Sequence, residues 1–524
     1  MPILKDMKTI VILFAGTAGE YAFSPVFDGK SASERALSWA EKVPGADTVA
    51  VLSLPDQASL HSLSAEKLSF KHIIQEKWTV SLLLKTIAEI SCGFDAIVYG
   101  FIDAPFYSAE ITAGLLETFK KYGAEYCFAD GYPAGLAPEI IHHDTANILA
   151  GLAKDNAACV SRTSIFDVLK TDINAFEIET EIASKDLRSL RVSLYCGTKR
   201  DALQCERLYS LMQKSDEKDI CSIIESSADV LRTLPSFYSI QIASACKGTC
   251  TFCPYPKAYE DRFSVNVAKS AEFMSVEDFQ KIIDKISNFS NDAVVSLSLW
   301  GEALRHKDLA KLVEIVLAKP ELSVLIETTG EDLTPETAGQ IAKVVSGAAP
   351  RKNGQEPVNW IVDIDSADEN MYQTLHGNNG FAKAVQAVEI LLPLFPNAVY
   401  PQFLRMQENE LHMEPFYRYW KEKCGKAIIQ KYDSFAERLV QRKVADLTPV
   451  HRNPCWHIRR DMSILINGDV PLCKEHMFDN ICGNIFKDEI EDIWQKGFET
   501  FKCHMNHEYK GLCRNCDEYY TFNF

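Results

Sequence analysis

Tyr238-Ser239-Ile240-Gln241-Ile242-Ala243-Ser244-Ala245-Cys246-Lys247-Gly248-Thr249-Cys250-Thr251-Phe252-Cys253-Pro254 decides the reading of this chain. A strand-like run, Tyr238–Ala243, breaks into a C-x3-C-x2-C triplet. Three thiolates on one strand-to-loop crossover can hold three corners of a [4Fe–4S] cube and leave the fourth iron without a protein ligand. An open metal position can take a small molecule. The spacing alone also permits a structural zinc knuckle, although no further Cys or His follows before His306.

Outward from the triplet, strand-like and helix-like runs alternate. The candidate strands are Tyr238–Ala243, Ala293–Leu299, Ser323–Glu327, Trp360–Ile364, Val399–Arg405 and Ala427–Tyr432. Helical patterns fall between them at Ser275–Ser287, Asp308–Ala318, Thr334–Val345, Ala382–Leu391 and Glu410–Lys423. Ser275 and Thr334-Pro335 read as helix starts. Six strands joined this way predict an incomplete parallel barrel over 235–440. Sites in such barrels sit at the C-terminal strand ends, where the triplet falls.

Earlier in the chain, residues 1–205 also alternate and predict a separate α/β domain, joined by a polar helical connector at 206–234. Residues 450–524 are short, loop-rich and dense in cysteine, so metal is expected to help this segment fold. The 524 residues are too many for one core. A net charge of −17 argues against nucleic acid as the main partner. No apolar run is long enough to cross a bilayer. Sixteen cysteines without a signal peptide predict a reducing, cytoplasmic setting in which thiols serve metals.

The triplet, with Phe252 just before its third cysteine, resembles the radical S-adenosylmethionine (SAM) enzymes. That resemblance implies a SAM-binding [4Fe–4S] cluster on Cys246, Cys250 and Cys253, and SAM chelated on the open iron. Trp300-Gly301-Glu302-Ala303, ending the second strand, is similar to the Gly-Glu motif with which the family holds the SAM amino group. Phe252, Gly301 and Glu302 are therefore expected at the cofactor. Asp365-Ser366-Ala367-Asp368 follows the fourth strand. Ser366 is expected near the SAM carboxylate, or as the N-cap of a helix over Ala367–Leu375. Arg405, ending the fifth strand, is expected to pair with the same carboxylate, or else to make a structural ion pair.

Near the C-terminus, Cys455 and Cys473 are separated by seventeen residues, Gly468 stands five before Cys473, and Cys513-x2-Cys516 follows. The pattern resembles the SPASM extension of radical SAM maturases, with one departure: the full seven-cysteine set is absent. This implies one auxiliary [4Fe–4S] cluster on Cys455, Cys473, Cys513 and Cys516. Cys482 or Cys503 remains able to replace one of the four, and a four-cysteine zinc ribbon has compatible spacings.

Phe14-Ala15-Gly16-Thr17-Ala18-Gly19, Asp28-Gly29-Lys30-Ser31, Phe101-Ile102-Asp103-Ala104-Pro105-Phe106 and Pro133–Glu139 are similar to sugar-activating nucleotidyltransferases. Glu20 to Gly29 carries no basic residue to meet a triphosphate, so the fold is expected without full activity. Asp103 is read as a metal ligand or as the cap of a helix over Tyr107–Tyr122. Together the three parts resemble the spirochaete proteins called spiro-SPASM. The resemblance implies hydrogen abstraction from a peptide or protein side chain, with a sugar or nucleotide-sugar as the second choice. An electron donor of the flavodoxin or ferredoxin type is the implied partner. Two other classes stay open, a nucleotidyltransferase with regulatory metal domains and a non-catalytic zinc scaffold.

Overall fold

The computed structural model describes residues 7–57, 60, 65–214, 219–270, 272–352 and 354–520. Its contacts divide into two compact units, 1–233 and 234–524. Both are α/β, as the alternation predicts.

The first unit carries a seven-stranded sheet. Its strands are β1 (Thr9–Phe14), β2 (Ala46–Ser53), β3 (Ser69–Ile74), β4 (Ala96–Phe101), β5 (Tyr126–Asp130), β6 (Glu139–His142) and β7 (Ile178–Ile182), in the order β3-β2-β1-β4-β6-β5-β7. Strand β6 runs antiparallel to both neighbours; the remaining pairs are parallel. The β1 and β4 strands are buried along their whole length, as strands covered on both faces must be. The expected connector, 206–234, is helical over Lys199–Lys214, Ile220–Ser226 and Ala228–Leu231, and its residues 215–218 lie outside the described residues.

The second unit is built on parallel strands β8 (Phe237–Ile240), β9 (Ala293–Ser296), β10 (Leu322–Thr328), β11 (Val358–Asp363), β12 (Val399–Arg405) and β13 (Ile428–Lys431). They pair in chain order. Helices between them include Val276–Ser290, Leu309–Leu317, Pro335–Ser346, Phe381–Leu391 and Glu410–Cys424. Ser275 and Thr334 cap their helices through their side chains, onto the N–H of Asp278 and of Thr337.

One strand was not expected. The tail strand β14 (Asp461–Ile464) joins the same sheet, parallel to β8 at its free edge. The cysteine-rich segment thus completes the sheet beside the strand that carries the triplet. A small antiparallel pair, β15 (Asp469–Pro471) and β16 (Ile481–Asn484), follows. A further helix, Tyr255–Phe263, also unexpected, begins just after Cys253.

Inside the barrel, Phe237, Leu325 and Ile361 form an apolar plug with Val294, Tyr400 and Ile428 packed against it. The period of two in a strand puts the next inward residues two positions further on.

Candidate functional site

Above that plug lies a cavity of about 590 Å³, walled by strand ends and by the loop after β8. Cys246, Cys250 and Cys253 all line it, with Phe252, Gly301 and Glu302. The cysteine loop is pinned from beneath. Thr251 N–H donates to Leu375 O at 2.8 Å and Thr249 Oγ1 to His376 O at 2.5 Å. Gly377, at φ +68°, lets Thr249 approach: a Cβ there would lie 2.7 Å from the Thr249 carbonyl oxygen.

Gly301 is held more tightly still. Its φ is +80°, and a Cβ would lie 2.1 Å from Ala243 O. The turn presents Glu302, which is 8% exposed. Its carboxylate accepts from Thr328 Oγ1 at 2.8 Å, Leu304 N at 3.1 Å and Thr329 N at 3.3 Å. Burial raises its proton affinity above the ordinary carboxylate range against those hydrogen bonds.

Burial also pushes the Cys246 thiol up to about 11 and Cys253 up to about 12, and it raises Cys250. Thiols of this kind keep their protons at neutral pH until a cationic centre replaces them. Three such thiols on one wall of an open cavity, with a carboxylate poised beside them, fit a cluster held at three corners.

His376 was not anticipated. It is fully buried, stacked on Tyr372 at 4.0 Å and edge-on to Phe252 at 5.2 Å. Its Nδ1 lies 3.6 Å from Cys250 Sγ and its Nε2 3.0 Å from Asp365 Oδ2. Lys247 pairs with Glu331, which also accepts from Tyr372 Oη and Asn378 Nδ2, each at 3.1 Å. The signal available in the sequence was only its place shortly after the Asp365–Asp368 run.

Ser366 and Arg405 are not brought to the cavity lining. Ser366 Oγ donates to Asp368 O at 2.9 Å. Asp368, not Ser366, caps the helix, which spans Glu369–His376. Arg405 forks onto Glu410 at 2.8 and 2.6 Å, because the helix that follows β12 starts with that glutamate five residues on. This is the structural ion pair of the two expectations.

The tail cysteines Cys455, Cys473, Cys513 and Cys516 line one small cavity together; Cys482 and Cys503 do not. Cys482 sits on β16 and Cys503 faces Lys510 Nζ at 3.7 Å. Arg452 clamps the C-x2-C turn, donating to Cys513 O at 2.6 Å and Cys516 O at 3.2 Å, with its guanidinium 3.8 Å from the Tyr509 ring centroid. Burial raises all four thiols, Cys455 to about 12. His504 lines the same cavity, and neither ring nitrogen has a hydrogen-bond partner among the described residues. Burial lowers it to about 4, so its ring is neutral. Three buried thiols and the half-buried Cys516 around one space fit a fully ligated cluster.

In the first unit, Asp103 neither caps the helix nor stands free for a metal. The helix spans Ala109–Tyr122 and is capped by Ser108. Asp103 is fully buried and its carboxylate is taken by Arg162 at 2.8 and 2.5 Å. The guanidinium in turn lies over Tyr195 and Phe101, 4.0 and 4.4 Å from their ring centroids.

Comparison with known proteins agrees with this geometry. Residues 240–401 match the radical SAM superfamily and 455–517 the SPASM iron–sulfur cluster-binding domain. The protein is therefore a radical SAM superfamily enzyme, with a SAM-binding [4Fe–4S] cluster, SAM and auxiliary iron–sulfur binding in its tail. More narrowly, it belongs to one family with a Treponema pallidum (strain Nichols) protein described as "Uncharacterized protein". The two are 35% identical over 373 residues, which cover 69% of this chain and 98% of the relative. Two solved structures are similar. BtrN in complex with AdoMet and 2-DOIA is 18% identical, covering 55% of this chain and 94% of that one, at a TM-score of 0.34. Streptococcus suis SuiB bound to precursor peptide SuiA is 12% identical, covering 63% and 77%, at a TM-score of 0.40. Among the described residues no helix is long and apolar enough to cross a membrane.

Proposed function

We propose that this enzyme removes a hydrogen atom from an unreactive C–H bond of a peptide or protein side chain, and uses one auxiliary [4Fe–4S] cluster. When bound, the reduced cluster and SAM supply the 5′-deoxyadenosyl radical. Cys246, Cys250 and Cys253 would hold the cluster, Glu302 would accept from the SAM ammonium, and Gly301 would let the backbone pass close to it. Phe252 and His376 pack around Cys250 and keep water from it. Ser366 would act through its backbone turn rather than at the cavity. Arg405, already paired, would reach the SAM carboxylate only after leaving Glu410.

Cys455, Cys473, Cys513 and Cys516 would fill the auxiliary cluster, which suits it to taking an electron from the substrate radical rather than binding substrate. An external donor of the flavodoxin or ferredoxin type would reduce the first cluster. The first unit we read as a nucleotidyltransferase-like domain without transfer activity, a reading supported by Arg162 occupying Asp103. Residues 235–440 serve as the barrel and 450–524 as the auxiliary domain.

The observation that carries the proposal is the convergence of three half-buried thiols and the buried Glu302 on one large cavity. The test is anaerobic reconstitution, metal analysis, and dithionite reduction with SAM. About eight irons per chain and 5′-deoxyadenosine are expected. In Cys246→Ala, cleavage of SAM should vanish. Cys473→Ala should lose about four irons, while Cys482→Ala and Cys503→Ala keep them. Stoichiometric zinc, no deoxyadenosine, or retained cleavage in Cys246→Ala would refute the reading.

A further inference from the structure

One rung above the apolar plug, the six strands β8 to β13 each turn one polar side chain into the cavity: Ser239, Ser296, Glu327, Asp363, Gln402 and Gln430. Each lies two residues beyond a member of the plug, so strand alternation puts all six on the inner face at one level. The level is about 7 Å below that of Ser298, Thr329 and Asp365, from the ~3.3 Å rise per strand residue. Gln402 Nε2 bridges the two carboxylates, 3.2 Å from Glu327 Oε1 and 2.7 Å from Asp363 Oδ1.

The charges that line this cavity do not balance. Glu331 is paired with Lys247 and Asp332 with Arg305, while Asp365 Oδ2 lies 3.0 Å from Nε2 of His376. Lys431 is held by Glu518 and Asp517, and Lys474 lies against Asp433 and Glu475. With those pairs set aside, every lysine that lines the cavity is taken, and Glu302, Glu327 and Asp363 have no ion-pair partner among the described residues. Glu302 stands beside the cysteines. Glu327 and Asp363 are left; burial raises both above the ordinary carboxylate range, with the charge of Glu327 adding to the rise at Asp363 and the Lys474 ammonium opposing it at Glu327.

A second feature of the same cavity asks for an occupant. Trp300 is 9% exposed, its ring is stacked on Tyr255, and its Nε1–H has no hydrogen-bond partner among the described residues. Trp300 lines the cavity. A buried indole N–H without an acceptor is costly unless something that enters supplies one. A peptide offers such an acceptor in its carbonyl groups.

We propose that the rung of Glu327, Asp363 and Gln402 is a substrate subsite for an organic cation, the ammonium of a lysine side chain in a peptide. It rests on the peptide reading above for its peptide half only. The two carboxylates and the serine and amide oxygens of the rung give an ammonium more acceptors than its three N–H groups need. The four-carbon stem of the lysine would run up the cavity toward the cysteines and leave its methylene groups exposed to the radical chemistry there.

The test uses the full-length protein, reconstituted and loaded with SAM without reductant. The probes are Nα-acetyl-lysine methylamide, its norleucine counterpart and glucosamine, with binding read by calorimetry. The lysine probe is expected to bind at least about tenfold tighter than norleucine, as a charge-assisted contact in a shielded site gives. In Glu327→Gln/Asp363→Asn, which keeps the shapes, that preference should fall to within about twofold, with SAM affinity unchanged. Norleucine binding as well as lysine would overturn the proposal. So would a large loss of SAM affinity in the double variant, because the rung would then serve SAM. Glucosamine binding better than the lysine probe would overturn the peptide source. If the wild type failed to bind SAM, the enzyme reading would fall instead, while the lysine-to-norleucine comparison would still decide the subsite.

Discussion

His376 links the Asp365 carboxylate to the sulfur of Cys250, the cluster ligand proposed above, and its removal should be visible as a change in potential. The perturbation is His376→Phe, which keeps an aromatic ring against Tyr372 and takes away both hydrogen bonds. In the intact site Nε2 faces Asp365 Oδ2 at 3.0 Å and Nδ1 faces Cys250 Sγ at 3.6 Å. Once Cys250 is a thiolate ligand, its sulfur is an acceptor for an N–H at Nδ1. A donor to a cluster sulfur favours the more negative, reduced state and raises the potential. A hydrogen bond of ~1 kcal/mol that is stronger in the reduced state corresponds to roughly 40 mV for one electron. The variant should therefore be harder to reduce by about that amount. It should also lose ~1–3 kcal/mol of stability, because Asp365 is buried and loses a partner. The assay is a mediated potentiometric titration followed by EPR, reading the component whose signal changes when SAM is added. A potential unchanged within about 10 mV, with stability reduced, would reduce His376 to a packing residue and refute the reasoning.

Other consequences are equally open to measurement. Gly301→Ala puts a methyl group 2.1 Å from Ala243 O at a φ of +80°, so backbone must move. A loss of about 3 kcal/mol in urea unfolding and at least tenfold weaker SAM binding are expected from the strain and the displaced Glu302. Arg162→Ala leaves the fully buried Asp103 without its cation and should cost ~3–5 kcal/mol, largely restored by adding Asp103→Asn. Burial raises Glu139 to about 7, with Tyr126 opposing as a hydrogen-bond donor. The folded state thus holds this proton to higher pH than the unfolded one, so the contribution is full below about pH 4.5 and lost as pH rises through 7. Glu139→Gln should therefore stabilise the protein at pH 8 by up to ~3 kcal/mol and not at pH 4, measured by urea unfolding at both.

The barrel strands were legible where their apolar runs are buried, as in Leu322–Thr328 and Val358–Asp363, and where side-chain caps mark the helices at Ser275 and Thr334. Val399–Arg405 and the helix starting at Glu410 were read to the residue. Strand β14 was not legible. Asp461-Met462-Ser463-Ile464 is short and lies in a segment whose cysteine spacing dominates the reading, and its place is set only by pairing with β8. Arg405 illustrates a different limit. Its position at a strand end left a ligand role and a structural ion pair both open, and only the fold shows Glu410, at the start of the next helix, holding its guanidinium. The rung of six polar residues could not be seen at all. Its members are scattered from Ser239 to Gln430, one to a strand, and only the common sheet level unites them. The tail cysteines stand between these cases: spacing proposed four of them, and the fold separates those four from Cys482 and Cys503 by which side chains share a space.

The tail is better understood as part of the barrel than as an attachment to it. Strand β14 hydrogen-bonds to β8, so the segment from Cys455 to Cys473 is registered directly against the strand that leads into Cys246. Gln241 N–H donates to Ile464 O at 2.9 Å, Ile466 N–H to Gln241 Oε1 at 3.2 Å, and Gln241 Nε2 to Tyr255 Oη at 2.9 Å, beside the cysteine loop. Lys285, on a barrel helix, donates to the carbonyls of Ile485 and Asp488 at 2.8 and 2.9 Å. Lys474, next to Cys473, lines both the large cavity and the small one. Lys474 is thus a wall residue common to the space of the four tail cysteines and the space that holds the triplet. An electron acceptor is useful to a substrate radical only if it is near and its distance is fixed. A shared sheet fixes that distance with backbone hydrogen bonds, which a flexible linker between two separate domains would not do.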